Sequence, residues 1–90
     1  MKTRSKAYGS ANVVGKQIEE LRLSKKIKQS DFIARLQASG LDINPTSYSK
    51  LEGQLRQAND LEIYSIAKIL NVPIIALFAN FENSNEQTRK

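Results

Sequence analysis

Apolar residues recur at helical spacing in five short blocks of this chain, and nowhere do apolar and polar residues alternate as a half-buried strand requires. Val14, Ile18 and Leu21 fall at i, i+4 and i+7, which predicts a first helix over 12–25 with one apolar stripe. Phe32, Ile33 and Leu36 predict a second over 29–38, with Gly40 placed to end it. Asn44-Pro45 announces a third over 45–53, because Asn caps well and Pro loses nothing at the first helical position; Tyr48 and Leu51 then face inward. Asn59 followed by Glu62 forms a capping-box pattern, and Ile63, Ile66, Ala67 and Leu70 make one face of a fourth helix stopping near Asn71. Pro73 opens a last short helix over 74–81, apolar on most sides and therefore expected to be sandwiched against the core or a partner. The fold class expected is all-α.

Ninety residues suit one domain with a modest core, so its stability should be of order 5 to 13 kcal/mol. Residues 1–11 are small and polar and read as a flexible basic arm. Residues 82–90 lack a hydrophobic pattern and read as a polar tail, which leaves 12–81 as the folded domain. Zero cysteines remove disulfides and thiolate metal sites and suit a reducing cytoplasm. Zero histidines remove the commonest general base, and no paired-carboxylate or nucleophile constellation can be placed, so no enzyme, metal site or cofactor is expected. The longest apolar stretch, 74–79, is too short to span a bilayer, and no membrane association is expected.

The net charge of +5 is unevenly spread: residues 1–30 carry eight positive and two negative charges, whereas 60–90 carry three positive and four negative. A basic field at one end fits a polyanion held against one face, either nucleic acid or an anionic membrane. A solubilising tail is the blander source.

Particular residues narrow this. Val14-Gly15 followed by Ile18, Leu21 and Arg22, then Ile27, Gln29 and Phe32, then Tyr48-Ser49-Lys50-Leu51-Glu52, and finally Asp60 with Ile66-Ala67-Lys68-Ile69-Leu70-Asn71-Val72-Pro73, resemble in order and spacing the Cro and phage-repressor (Xre-like) helix-turn-helix family. The resemblance spans about Val14 to Phe78. It implies a five-helix lambda-repressor-like bundle whose second and third helices form the DNA-reading pair. It further implies a sequence-specific transcriptional regulator, expected to be a repressor, bound as a homodimer to an inverted repeat in double-stranded DNA in a bacterial or phage-infected cytoplasm. The chain departs from the family pattern at four places. Lys26 stands where a helix-ending Gly is usual, and Lys28 where a Ser or Thr cap is usual. The connection between the second and third helices is about five residues longer than the minimal one, with Leu41 and Ile43 expected to plug it into the core. Gly53 comes one position early.

With Tyr48 and Leu51 inward, Thr46, Ser47 and Lys50 share the outward face of the third helix and are the candidate base readers. Their bland alternative is a solvated polar face. Pro45 occupies a position where relatives often carry a base-contacting side chain, which shifts weight toward DNA shape. Gln29 matches the family's phosphate-binding Gln, and Lys28, Asn44, Arg56 and, more weakly, Gln54 complete the expected phosphate set. The resemblance pairs Arg22 with Glu52 across the first and third helices in a structural role. Lys2, Arg4 and Lys6 can form a DNA-contacting arm, although an ordinary tail is the simpler reading. Ile74, Ile75, Leu77, Phe78 and Phe81 are the candidate dimer or partner surface. The alternative function is accordingly a protein-interaction module such as an antitoxin using that stripe.

Overall fold

The computed structural model describes residues 8–79 and 81 and contains, among them, four α-helices, one 3-10 helix and no strand. The helices are α1 (Gly15–Ser24), α2 (Gln29–Ala38), α3 (Pro45–Glu52) and α4 (Asp60–Leu70), followed by the 3-10 helix Ile74–Phe78. Residues 1–7, and with them Lys2, Arg4 and Lys6, lie outside the described residues, as does the polar tail 82–90.

Local chemistry sets each start. The Asn44 side chain accepts the Ser47 amide at 2.8 Å with Pro45 in the first turn of α3. Asn59 and Glu62 form the reciprocal capping box of α4 at 2.8 and 3.0 Å. Lys28, extended and without a side-chain cap, precedes α2. The start of α1 is served from two residues upstream: the Asn12 carboxamide oxygen accepts the amides of Val14 and Gly15, and its nitrogen donates to the Leu51 and Arg56 carbonyls. All four hydrogen-bonding positions of Asn12 are used, and they join the start of α1 to the end of α3.

All four helices end in the same way. At α2, Gly40 (φ 103°) donates to Gln37 and Leu41 donates back to Leu36, the paired bonds of a Schellman motif. The same two bonds close α1 around Lys26, α3 around Gln54 and α4 around Asn71, each at φ 60–61°. Gly53 is not the left-handed residue of α3; its φ is −81°. The exit of α3 therefore follows the usual geometry with Gln54 in place of a glycine.

α3 packs on α1 and α2, and α4 packs on α1, α2 and the 3-10 helix. Phe32 and Tyr48, both fully buried, meet with their rings tilted by 59° and 5.7 Å between centroids, in a core shared with Ile18, Leu36, Leu51, Ile66, Leu70 and Leu77. Leu41 and Ile43 are buried, and Gln37 donates to the Ile43 carbonyl, so the long α2–α3 connection is part of the core rather than a free loop. At Gly15 α1 lies close against the end of α3: a methyl group there would lie 2.5 Å from the Leu51 and Glu52 carbonyl oxygens.

Two expectations need correction. The segment after Pro73 is helical but not sandwiched: it opens as a 3-10 helix, Ile74–Phe78, with residues 79 and 81 helical beyond it, and it buries Leu77 while Ile74, Ile75 and Phe81 are exposed. Pro73 has no amide to donate but accepts from Ala76, and this i→i+3 bond tightens the turn. Nor is the whole of 1–11 loose, because Gly9 and Ala11 donate to the Gly53 and Gln54 carbonyls at 2.9 Å. Among the described residues, bonds to the helical body reach back to Tyr8, which donates to Glu19.

Lys26 holds a left-handed conformation that costs an ordinary L-residue about 1–2 kcal/mol and glycine much less. Lys26→Gly should therefore stabilise the domain by about 1 kcal/mol, raising its melting temperature by about 4–8 °C in thermal denaturation. An unchanged or lower melting point would mean that the Lys26 side chain contributes more than its backbone costs.

Candidate nucleic-acid interface

α3 has two chemically distinct sides. Tyr48, Leu51 and Glu52 are buried, whereas Thr46, Ser49 and Lys50 are exposed and Ser47 is half-buried. The inner side is polar at its C-terminal end, where the Glu52 carboxylate is fully removed from water. It accepts from Arg22 Nε at 2.8 Å, Arg22 Nη2 at 3.1 Å, Gln29 Nε2 at 3.0 Å and the Tyr48 hydroxyl at 2.7 Å. Arg22 also donates to the Ile27 carbonyl. A buried charge is tolerable only when so completely partnered. Burial pulls the Arg22 pKa down, but the Glu52 hydrogen bond and charge outweigh it, and the net pKa is raised. Burial, followed by the Glu52 charge and hydrogen bond, pushes the Tyr48 phenol far above its ordinary value, so it keeps the proton it donates.

A second ion pair supports the other end of α3. Arg56 donates from Nε to the Ser47 carbonyl, from Nη1 to Gln57 and from both Nη atoms to Glu62 at 2.9–3.0 Å. Burial raises the Glu62 pKa, and the Arg56 hydrogen bond, the Asn59 backbone and the Arg56 charge more than offset this, leaving it below its ordinary 4.5.

The expected phosphate residues fall into two groups. Lys28 and Asn44 are exposed, and Gln29 at the start of α2 stands against Glu52 at the end of α3. Arg56 and Gln54 are turned inward: the Arg56 guanidinium serves the Glu62 clamp, and the Gln54 amide donates to Gly9 while accepting the Lys16 amide. The Arg22–Glu52 pair forms as expected. Sequence reasoning overlooked three features. Asn12 was read only as the edge of a helix. The Arg56–Glu62 clamp lacks helical spacing. Lys25 and Lys26, exposed beside Lys28 in the turn before α2, make a basic run that the sequence did display. Of the expected partner surface, Ile74, Ile75 and Phe81 are exposed and Phe78 half-buried, while Leu77 is buried in the core and closed to any partner.

No protein-family model, curated protein or solved structure matches the chain. Among the described residues no helix is long and apolar enough to cross a membrane.

Removing Arg22 would strand Glu52 without water or counter-charge, so Arg22→Ala should lose about 3–5 kcal/mol of stability. Chemical denaturation measures it, and a variant that unfolds at the wild-type midpoint would deny the pair its structural role. Glu62 gives a pH dependence. Its folded pKa is below that of the unfolded chain, so its contribution is present above pH 4.5 and is lost as the pH falls through the folded value. Glu62→Gln should lower stability at neutral pH and flatten the fall in melting temperature as the pH drops below 4.5. Parallel wild-type and variant curves would exclude that linkage.

Proposed function

We propose that the chain is a sequence-specific DNA-binding regulator of the helix-turn-helix kind, with α3 entering the major groove and α2 lying across its back. The observation that carries this reading is the division of α3: a side locked by Tyr48, Leu51 and Glu52, and an opposite side offering Thr46, Ser47 and Lys50. Base readout needs a helix that does not roll, since a bidentate contact worth about 1–3 kcal/mol depends on angle as well as distance. Lys50 donates to guanine O6 and N7, and the Thr46 methyl and hydroxyl face a thymine or a neighbouring polar edge. Phosphate affinity comes from Lys28, Gln29 and Asn44, joined by Lys25 and Lys26. Arg56 and Gln54 leave that set because their polar atoms are engaged internally, and Gln29, whose side-chain nitrogen is held by Glu52, serves it through its backbone amide at the start of α2. α2 supports the assignment: its first turn has no side-chain cap, so its amides suit a phosphate oxygen.

A homodimer on an inverted repeat with half-sites about one helical turn apart completes the proposal, with repression as the expected outcome. A protein-interaction module remains a second reading. It is favoured by exposed Ile74, Ile75 and Phe81, and by an apolar groove of about 290 Å³ lined by Val13, Val14, Ala58, Ile63 and Phe78.

Selection of bound fragments from random duplex DNA tests the proposal and should return a palindrome. On that sequence Lys50→Ala should relax selectivity at one base position by about 1–3 kcal/mol, whereas Lys28→Ala should weaken all sequences alike and reduce the salt slope by about one. Weak, sequence-indifferent binding in the selection would overturn the regulator reading and leave the interaction module.

A further inference from the structure

Residues 8–12 are tied to the exit of α3 by bonds that the reading of its outward face does not explain. Gly9 and Ala11 donate from their amides to the Gly53 and Gln54 carbonyls at 2.9 Å, and the Asn12 carboxamide donates to the Leu51 carbonyl at 2.9 Å. A helix C-terminus leaves carbonyls in want of donors, and this strap supplies them from well upstream in the chain. Gln54 ties the strap from the other side. Its side-chain nitrogen donates to the Gly9 carbonyl at 2.9 Å, and its side-chain oxygen accepts the Lys16 amide at 3.0 Å, so one carboxamide joins the strap, the first turn of α1 and the exit of α3. There is no slack at the junction. A methyl group on Gly9 would stand 2.4 Å from the Gln54 carbonyl oxygen, and one on Gly15 would stand 2.8 Å from the Gln54 side chain. Tyr8 extends the attachment by donating to Glu19 on α1. The Gln54 backbone is left-handed, at φ 61°, where glycine would be less strained, and its side chain makes two bonds that glycine cannot make.

We propose that Gln54 is a positioning residue for base readout: through the strap it fixes the tilt of α3, and with it the place of Lys50, without itself touching DNA. The inference rests on the DNA-binding reading above. Arg56 holds the Ser47 carbonyl near the start of α3, so a freed exit would let the helix swing about that point. At about 1.5 Å per residue, Gly53 stands about 9 Å beyond Ser47 and Lys50 about 4.5 Å beyond it. A swing of about 1 Å at Gly53 then moves Lys50 by about 0.5 Å, which is the tolerance within which a binding group must be held. The Glu52 cluster restrains the helix through a side chain, whereas the strap grips main-chain carbonyls directly. Attraction between a lysine and a phosphate changes little over such a shift, but a paired contact to a base edge depends on angle as well as distance. Selectivity, rather than overall affinity, is therefore what Gln54 controls.

The test is fluorescence anisotropy of the full chain on the selected duplex, on the same duplex altered at the base pair that Lys50 reads, and on an unrelated duplex, at two salt concentrations. It compares wild type, Gln54→Gly, Gly9→Ala and, as a control, Asn71→Gly at the matching left-handed exit of α4. None of these changes alters the charge. Gln54→Gly should melt close to wild type, because relief of backbone strain offsets the lost bonds. Its affinity ratio between the selected and altered duplexes should fall about fivefold or more, while the salt slope and the binding of unrelated duplex stay as in wild type. Gly9→Ala, which forces the strap away from the Gln54 carbonyl, should lower the ratio likewise, and the double variant should lose little more than either alone. Asn71→Gly should keep the ratio. An unchanged ratio in either strap variant overturns the inference, as does an equal fall in the Asn71 control. Equal weakening on all three duplexes overturns it too, a shallower salt slope then marking Gln54 as a phosphate ligand and an unaltered slope as a structural residue only. In each of these cases the α3 reading stands. Wild-type protein that prefers no sequence would fail the α3 reading itself, and the inference with it.

Discussion

The Glu52 carboxylate stands without water at the meeting point of three helices, and the position of α3 depends on how it is satisfied. Arg22 arrives from α1, Gln29 from the first turn of α2 and Tyr48 from α3 itself, so one acceptor group measures the relative placement of all three. Apolar residues in its place could give similar net stability, because bringing two charges out of water offsets much of their attraction. Directionality is what they could not supply. A hydrophobic contact tolerates sliding and rolling, whereas four hydrogen bonds of 2.7–3.1 Å do not. The same residues that hold α3 also assign its outward face. Arg56 and Asn12 extend this control to the backbone, gripping the Ser47 and Leu51 carbonyls near the two ends of the helix.

What could be read from the sequence was whatever is encoded over a few residues. α2 occupies the expected 29–38, and the capping box of α4 and the Asn44-Pro45 start of α3 form from neighbouring side chains and amides. Gly40 announced its left-handed turn; Lys26, Gln54 and Asn71 adopt nearly the same turn without that signal, because backbone closure to the preceding turn outweighs the strain on an ordinary residue. The bonds that tie Gly9 and Ala11 to the exit of α3 are not legible in the sequence because they join residues more than 40 apart and carry no periodicity. Arg56 looked like a phosphate ligand because a sequence shows a charge but not its counter-charge, and Glu62 had already been assigned to its own cap. The stretch after Pro73 was read from apolar content alone. Content specifies neither helix type nor which side finds the core, and only Leu77 is fully covered.

On the proposed reading the α2–α3 connection is an insertion before a recognition helix, and such an insertion would ordinarily loosen it, since each added residue enlarges what the fold must order. Here the added length carries its own core contacts. The Schellman bonds turn the chain at Gly40, Leu41 and Ile43 are buried, and the Gln37 amide holds the Ile43 carbonyl immediately before the Asn44 cap. The extra residues thus act as a packed spacer between α2 and α3. On the proposed reading, this spacer changes the approach of α3 to DNA without softening it, and Pro45 lies where a side-chain contact would otherwise be made. Base readout then falls to the middle of the helix, at Thr46, Ser47 and Lys50. With so few direct contacts on that reading, flanking phosphates must fix the register, which gives the lysines before α2 their place in the same scheme.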